Sequence, residues 1–406
     1  MRSFLYIFFV LLVTDLAAQN HPSCDGLRYR SAVFSEIESS LAIKYGAGTT
    51  YNGEQQELFL DVYYPADDAA ESRPAIVLAF GGSFIFGARE DLKWMCEAYA
   101  RMGYVAVTID YRLYDGPLLP LPSAAAMKDV VVKTISDMKA AIRYLREDAD
   151  TDNLFKIDPD YIFAGGISAG SITACHTAAL DETDNIPQDL LDIVAANGGF
   201  EGNSSDNHQY SSEIRGLVNY SGGLHDAHWL DENDPPFVSF HDDGDDVVPY
   251  GGDFATIFGF PIIYIDGSQV LNHVGDSLGI NNTLYTIENS NGHVSYFGDS
   301  TEVVLQRSAN FLYEIICGEV VNDIDVINES GSLVLYPNPT NGLIQFEFEE
   351  KANYQVTLLD VFGSKLGSWN DPTQLDLSTF HGGIYFIEFE DKTSKTKLIR
   401  RVVLEK

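Results

Sequence analysis

The residues best equipped for chemistry lie in separate stretches of the chain. In the first, Gly166-Ile167-Ser168-Ala169-Gly170 follows the apolar run Tyr161 to Ala164 and precedes a helical-looking stretch from Ser171 to Leu180. A serine on so sharp a strand-to-helix bend needs small residues two positions either side, because the two backbones nearly touch there. The bend forces the hydroxyl into the open. The helix N-terminus behind it turns backbone N–H groups toward any oxyanion formed on an attacked carbonyl. Ser168 is therefore the expected nucleophile and the N–H of Ala169 an expected oxyanion donor. A serine alone is inert at neutral pH, so a histidine must take its proton and a carboxylate must hold that histidine in the right tautomer.

Partners for Ser168 should stand on loops at the C-terminal ends of later strands, in the chain order serine, acid, histidine. The stretch His241-Asp242-Asp243-Gly244-Asp245-Asp246-Val247-Val248-Pro249 directly follows the expected strand Phe237 to Phe240 and offers four acids. Asn291-Gly292-His293 stands a few residues beyond the strand Thr283 to Ile287, with the glycine a sharply turned loop requires. His293 is the expected base. His273 lies within a helical-looking stretch, Gly267 to Leu278, and His176, His225, His228 and His241 precede or adjoin the acids. Phe80-Gly81-Gly82-Ser83-Phe84, after the buried strand Ala75 to Phe80, should bring the N–H groups of Gly82 and Ser83 to the same oxyanion. Phe84, Tyr220 and Trp229, with His225 and His228, are expected along the substrate pocket.

From about Tyr29 to Glu314, short apolar β-branched runs alternate with longer amphipathic stretches, which predicts a doubly wound, mainly parallel α/β sheet with helices on both faces. Leu58 to Tyr64 reads as an early edge strand and Tyr104 to Ile109 as a buried one. Helices are expected over 91–102, 124–148 and 302–317. Residues 181–213 are polar and weakly periodic, as in a cap or insertion folded over the site. Asp148 to Asn153 superficially resembles a calcium loop but lacks its later glycine and glutamate.

Several of these stretches together resemble esterases of the α/β-hydrolase superfamily. The loop after Phe240 is similar to the His-Gly-x-x-Asp-x-x-Val-Pro loop of those enzymes, which implies Asp245 as the triad acid. Asp242 stands where glycine is usual, so a shift to Asp246 or Asp243 stays open. Phe80 to Phe84 resembles the His-Gly-Gly-Gly oxyanion loop of carboxylesterases and lipases, with phenylalanine for histidine and serine for the third glycine. Asp110-Tyr111-Arg112-Leu113, Tyr144-Leu145-Arg146 and Ile157-Asp158-Pro159-Asp160 also recur there, with structural roles expected for Asp110 and Arg112. The resemblance implies a serine carboxylic-ester hydrolase that needs no cofactor and no metal. A peptidase of the prolyl oligopeptidase kind shares the triad order, although no propeller-sized segment precedes the hydrolase stretch. A non-catalytic binding module on the same scaffold is the alternative from another class.

The 406 residues suggest two or three units. Met1-Arg2-Ser3, the apolar Phe4 to Val13 and the small residues Ala17-Ala18 read as a secretory signal peptide over 1–18. A hydrolase domain is expected over 19–320, a polar linker over 321–331 and a small β-sandwich over 332–406, where Leu343 to Phe348, Tyr354 to Leu359 and Gly383 to Phe389 alternate with period two. Leu335-Tyr336-Pro337-Asn338-Pro339-Thr340-Asn341-Gly342, Val361-Phe362-Gly363, Gly383-Ile384-Tyr385 and the basic end from Lys392 resemble the C-terminal sorting domain of the type IX secretion system. That resemblance implies export through periplasm and outer membrane in Bacteroidota-type bacteria, with the protein secreted or held at the cell surface.

A formal charge of −35, with 60 acids against 25 bases, argues against nucleic acid or anionic membranes as partners. Residues from Leu335 onward hold 10 acids and 8 bases, so −33 of that charge lies before them. Neutral or small ester substrates, free or polymer-borne, fit this balance. The four cysteines show no metal-ligand spacing and suit an oxidising compartment. Cys24 has Cys96 and Cys317 as candidate partners, with Cys96 favoured, and Cys175 is expected as a buried thiol.

Overall fold

A computed structural model describes residues 21–298, 300–318, 333–337, 340–348, 354–359, 365–392 and 397–404. The expected signal peptide and linker lie outside the described residues. The chain forms two compact units, 1–319 and 320–406.

In the first unit, β1 (Ile37–Thr49), β2 (Gln55–Pro65), β3 (Arg73–Ala79), α1 (Lys93–Met102), β4 (Val105–Ile109), α2 (Ala124–Asp150), β5 (Ile157–Ile167), α3 (Ala169–Ala179), α4 (Gln188–Ala196) and β6 (Leu217–Tyr220) succeed one another. Then come β7 (Gly223–Leu224), β8 (Phe237–Asp242), β9 (Gly252–Ile257), β10 (Phe260–Gly267), α5 (Ser268–Leu278), β11 (Asn282–Ile287) and α6 (Thr301–Cys317). Eight strands make one sheet in the order β1-β2-β4-β3-β5-β6-β8-β11. The pairs β1–β2 and β2–β4 are antiparallel, and every later neighbour is parallel. This is the mainly parallel α/β-hydrolase sheet. The central strands are buried on both faces, β3 and β4 along their whole lengths, which is why they read as continuous apolar runs rather than alternating ones.

Two differences from the sequence reading concern elements with weak patterns. The strand over 58–64 is not the edge, because β1 pairs outside it. In β1, Ser39, Ser40, Gly46 and Gly48 interrupt the apolar periodicity, and its register slips twice. The second is the three-stranded sheet β7-β10-β9, whose hairpin β9–β10 turns at Phe258-Gly259, both with positive φ. A phenylalanine at such a position lacks the Asn-Gly or Asp-Gly signature by which hairpins are usually read.

Residues 181–213 divide between two roles. Helix α4 packs on α2, with Leu190 and Val194 against Val132 and Ile135. The stretch from Asn197 to Glu213 is instead pinned along α2. Lys139 donates to the Phe200 carbonyl at 2.9 Å, Arg143 pairs with Glu201 at 2.8 Å, and Arg146 donates to the carbonyls of Ser211 and Glu213. Beneath it Arg112 and Asp137 form a fully buried pair at 2.7 Å, completed by Ser204. Burying two charges is tolerated only with such complete hydrogen bonding.

The disulfide joins Cys24 to Cys317, not to Cys96. Cys96 is a free, buried thiol on α1, and its pKa is raised well above the ordinary value by burial. The bridge ties the segment before β1 to the end of α6, a pairing between residues 293 apart that spacing could not disclose. Cys175 is buried and free, as expected.

The second unit consists of β12 (Leu333–Tyr336), β13 (Leu343–Phe348), β14 (Tyr354–Leu359), β15 (Lys365–Asn370), β16 (Gln374–Asp376), β17 (Gly383–Asp391) and β18 (Lys397–Leu404). They form two antiparallel sheets, β12-β13-β16 and β15-β14-β17-β18. Ile344, Phe346 and Leu375 from one sheet share a core with Val356, Ile387 and Phe389 from the other. No helix among the described residues is long and apolar enough to cross a membrane.

Candidate active site

Ser168 sits between β5 and α3 with φ 55° and ψ −117°, a strained conformation for a residue with a side chain. A Cβ on Gly170 would overlap the Ala79 carbonyl, and one on Gly166 would overlap the backbone of Gly170. The glycines are therefore required by close approach of β3, β5 and α3. The Ser168 N–H is held by the Tyr220 carbonyl at 2.8 Å.

Ser168, Asp245 and His293 converge from three strand ends. Ser168 Oγ lies 2.8 Å from His293 Nε2, and His293 Nδ1 lies 2.7 Å from Asp245 Oδ2. Asp245 is buried, and burial by itself raises a carboxyl pKa. Hydrogen bonds from His241 and His293 and the backbone N–H of Val247 outweigh that and hold it at about 2. An ionised Asp245 can only accept, so Nδ1 of His293 carries the proton and Nε2 is left to accept from the serine hydroxyl.

The three acids that flank Asp245 are held differently. Asp242 accepts from the backbone and hydroxyl of Ser295, and Asp243 caps the N–H groups of Asn289 and Ser290. Asp246 offers its carbonyl to Thr256. Asp242 and Asp243 thus grip the His293 loop from both ends while Asp245 faces the imidazole.

A second histidine steadies the acid. His241 is fully buried, its Nε2–H donates to the Val248 carbonyl at 2.9 Å, and the same atom lies 3.4 Å from Asp245 Oδ2. Its Nδ1 meets Ser268 Oγ at 2.7 Å. Asn219 donates to Ser268 and Ser239 and accepts from Ser171 of α3, so polar contacts run from the acid back to the nucleophile's own helix. Chain order alone ranked His241 among the poor candidates for base, which gave no hint of this supporting place.

Ser83, Ser168 and Ala169 line one pocket. Ala169 opens α3, where first-turn N–H groups have no intrahelical acceptor. Gly82, Ser83 and Phe84 all have positive φ, and the Gly82 carbonyl accepts from Ile85 and Phe86 in a tight turn. That loop is anchored from the end of β4: Tyr111 stacks on Phe80 and donates to its carbonyl at 2.7 Å, and the Tyr114 N–H donates to the Phe84 carbonyl at 2.8 Å. Arg89 bridges Asp61 and Asp110, and Asp110 is the structural anchor expected.

The pocket opens to solvent and is lined mainly by apolar side chains. Phe84 and His225 line it, whereas two other expected residues do not. Tyr220 is fully buried and bonded to Tyr99 and Ser308 beneath the sheet ends. Trp229 is buried in the cluster around α4 and meets the pocket through the rings of His176 and His225. His228 is exposed beside Asp226. The lining missed by sequence reasoning comes from α2, α3 and the hairpin, including Met127, Val131, Ile172 and Ile263. Helical spacing of apolar residues on α2 was legible, but it does not say whether such a face meets a core or a cavity. Among the described residues, no cluster of three His, Cys, Asp or Glu could hold a metal.

Fold and site together define an esterase-like α/β-hydrolase. Residues 60–227 match the BD-FAE family and residues 334–405 match the secretion system C-terminal sorting domain family. Solved structures similar to this chain include esterase 2 of Thermogutta terrifontis. The native form is 23% identical, covers 73% of this chain and 98% of that one, and has a TM-score of 0.49. The propionate-bound form is also 23% identical, covers 69% and 94%, and has a TM-score of 0.47. A curated relative, a non-reducing polyketide synthase of Emericella nidulans, is 34% identical over 76 residues, which is 17% of this chain and 3% of that protein. The chain thus spans a small fraction of that relative's length.

Proposed function

We propose that this protein is an extracellular serine carboxylic-ester hydrolase working through Ser168, His293 and Asp245. The observation that carries the reading is the continuous hydrogen-bond chain of 2.8 Å and 2.7 Å from serine to imidazole to carboxylate, in a pocket also lined by Ala169 and Ser83. Ser168 Oγ attacks the ester carbonyl as its proton passes to His293 Nε2. The tetrahedral oxyanion is held by the backbone donors, each worth about 3–4 kcal/mol in comparable sites. Collapse breaks the bond to the alcohol oxygen, which takes the proton from His293, and leaves Ser168 acylated. Water, activated by the same imidazole, then releases the acid. The sorting domain supports delivery by type IX secretion machinery to the cell surface or medium.

Hydrolysis of short 4-nitrophenyl esters tests this directly. Ser168→Ala should lower kcat by at least about 10⁴-fold with the fold intact. A folded wild type that cleaves no ester and resists phosphonate labelling would instead favour a binding module, and turnover of peptides alone would favour a peptidase.

A further inference from the structure

Helical repeats build the walls of the pocket beyond Ser168 and give it the form of a slot between α2 and α3. Ile172, His176 and Leu180 follow Ser168 along α3 at spacings of four, so they form one stripe on one face. At 1.5 Å per residue, the run from Ser168 to Leu180 extends about 18 Å along the helix axis. Met127, Val131 and Ile135 make the matching stripe on α2, joined by Val132 and by Leu190 of α4. The hairpin β9–β10 closes the slot with Ile257, Ile263 and Ile265.

Two of the polar side chains in these walls, His176 and Lys128, are already engaged. His176 donates from Nδ1 to the Ile172 carbonyl at 2.8 Å, and its Nε2 accepts the His225 N–H at 3.1 Å. Burial lowers its pKa to about 4, so the ring stays neutral at neutral pH. Lys128 is drawn to the exposed carboxylate of Asp189 at 2.8 Å, where α2 meets α4. A sugar or other polyol would find hydroxyl partners scarce along such walls, whereas methylene groups would gain from leaving water along the whole run. Outside the slot the hairpin shows Phe254, Phe258 and Phe260, each more than half exposed, so its outer surface is apolar as well.

From this geometry we propose that the ester acted on carries a long unbranched aliphatic acyl chain, housed in the slot between α2 and α3 under the β9–β10 hairpin. The inference rests on the ester-hydrolase reading and specifies the substrate class of that same site. Staggered carbon–carbon bonds of about 1.5 Å advance roughly 1.3 Å each, so about fourteen carbons fill an 18 Å run and ten reach about two thirds of the way along it. Ile172 of α3 and Ile263 of β10 stand on different walls of the slot.

The test is a chain-length series of 4-nitrophenyl esters from acetate to tetradecanoate, with 4-nitrophenyl ferulate beside it, assayed on the full-length protein. Wild-type kcat/KM should rise by roughly threefold per added methylene over the early members and peak at ten carbons or beyond. Ile172→Trp narrows the slot one helical turn from the nucleophile. It should shift the ratio of decanoate to acetate kcat/KM at least tenfold toward acetate. Ile263→Trp, on a half-buried strand that tolerates bulk more readily, should give the same selective loss should the first variant misfold. A wild-type optimum at acetate, ferulate cleaved faster than decanoate, or blocking variants that slow every chain length equally would each overturn the slot while leaving the hydrolase intact. Absence of turnover on every ester would overturn the hydrolase reading and the slot together.

Discussion

The relay around Ser168 and the slot beyond it are held by opposite kinds of interaction. In the relay each group has a fixed partner. Asp245 receives two backbone N–H groups and two imidazoles, and Asp242 and Asp243 fasten the base's loop. These bonds are directional, so geometry fails if any partner moves by a fraction of an ångström. The slot is lined by Val131, Val132, Ile135, Ile172 and Ile263, whose contacts are non-directional and scale with area. Chemistry here is thus set by a few irreplaceable atoms, and substrate length by many exchangeable ones.

Asp245→Asn strikes the directional half hardest. It should cost about 10⁴-fold in kcat with little change in KM, because the amide no longer enforces the Nδ1–H tautomer of His293. Steady-state ester hydrolysis reads this, and a loss below tenfold would place the acid elsewhere in the loop.

His241→Leu comes next. It removes the imidazole that lies 3.4 Å from Asp245 and holds the Val248 carbonyl, and it leaves Ser268 short of a partner, so kcat should fall roughly ten- to a hundredfold. His241→Gln, which keeps an N–H donor, should recover much of that. Equal losses in both variants would mean that His241 merely fills space.

The smallest expected effect concerns the slot side, where an acidic cluster adjoins α4. Burial, reinforced by the charges of Asp231, Asp181 and Asp184, pushes Asp234 up to about 7. Its folded pKa exceeds the unfolded value, so the folded state binds the proton more tightly. The associated stability is fully present below about pH 4 and is lost as pH rises through 7. Asp234→Asn should therefore raise stability at pH 8 by about 1 kcal/mol, discounted for solvent screening, and leave it unchanged at pH 4. Urea denaturation at both pH values measures the difference. A gain at both would point to a general charge effect rather than this titration.

Legibility in the sequence divides along the same line. The glycines of the Ser168 bend and the Gly81-Gly82 pair were readable because close backbone approach, and at Gly82 a positive φ, restrict which residues can stand there. Buried parallel strands such as β3 and β4 were readable from unbroken apolar runs. The hairpin was not, because Phe258-Gly259 lacks the residues that announce such a turn. Tyr220 and Trp229 were expected at the pocket because aromatic residues near strand ends suit either a lining or a support, and sequence does not separate the two.

The sequence by itself determined the local devices: the strained bend, the loop glycines, the order serine, acid, histidine, and two units of different periodicity. Each depends on a few neighbouring residues and on steric limits that hold in any surroundings. Only the tertiary structure decided which acid faces His293, that Cys24 meets Cys317, and that apolar stripes on α2 and α3 enclose a cavity instead of a core. Those outcomes depend on which surfaces meet across hundreds of residues, and a periodic pattern states that a face is apolar without stating what covers it.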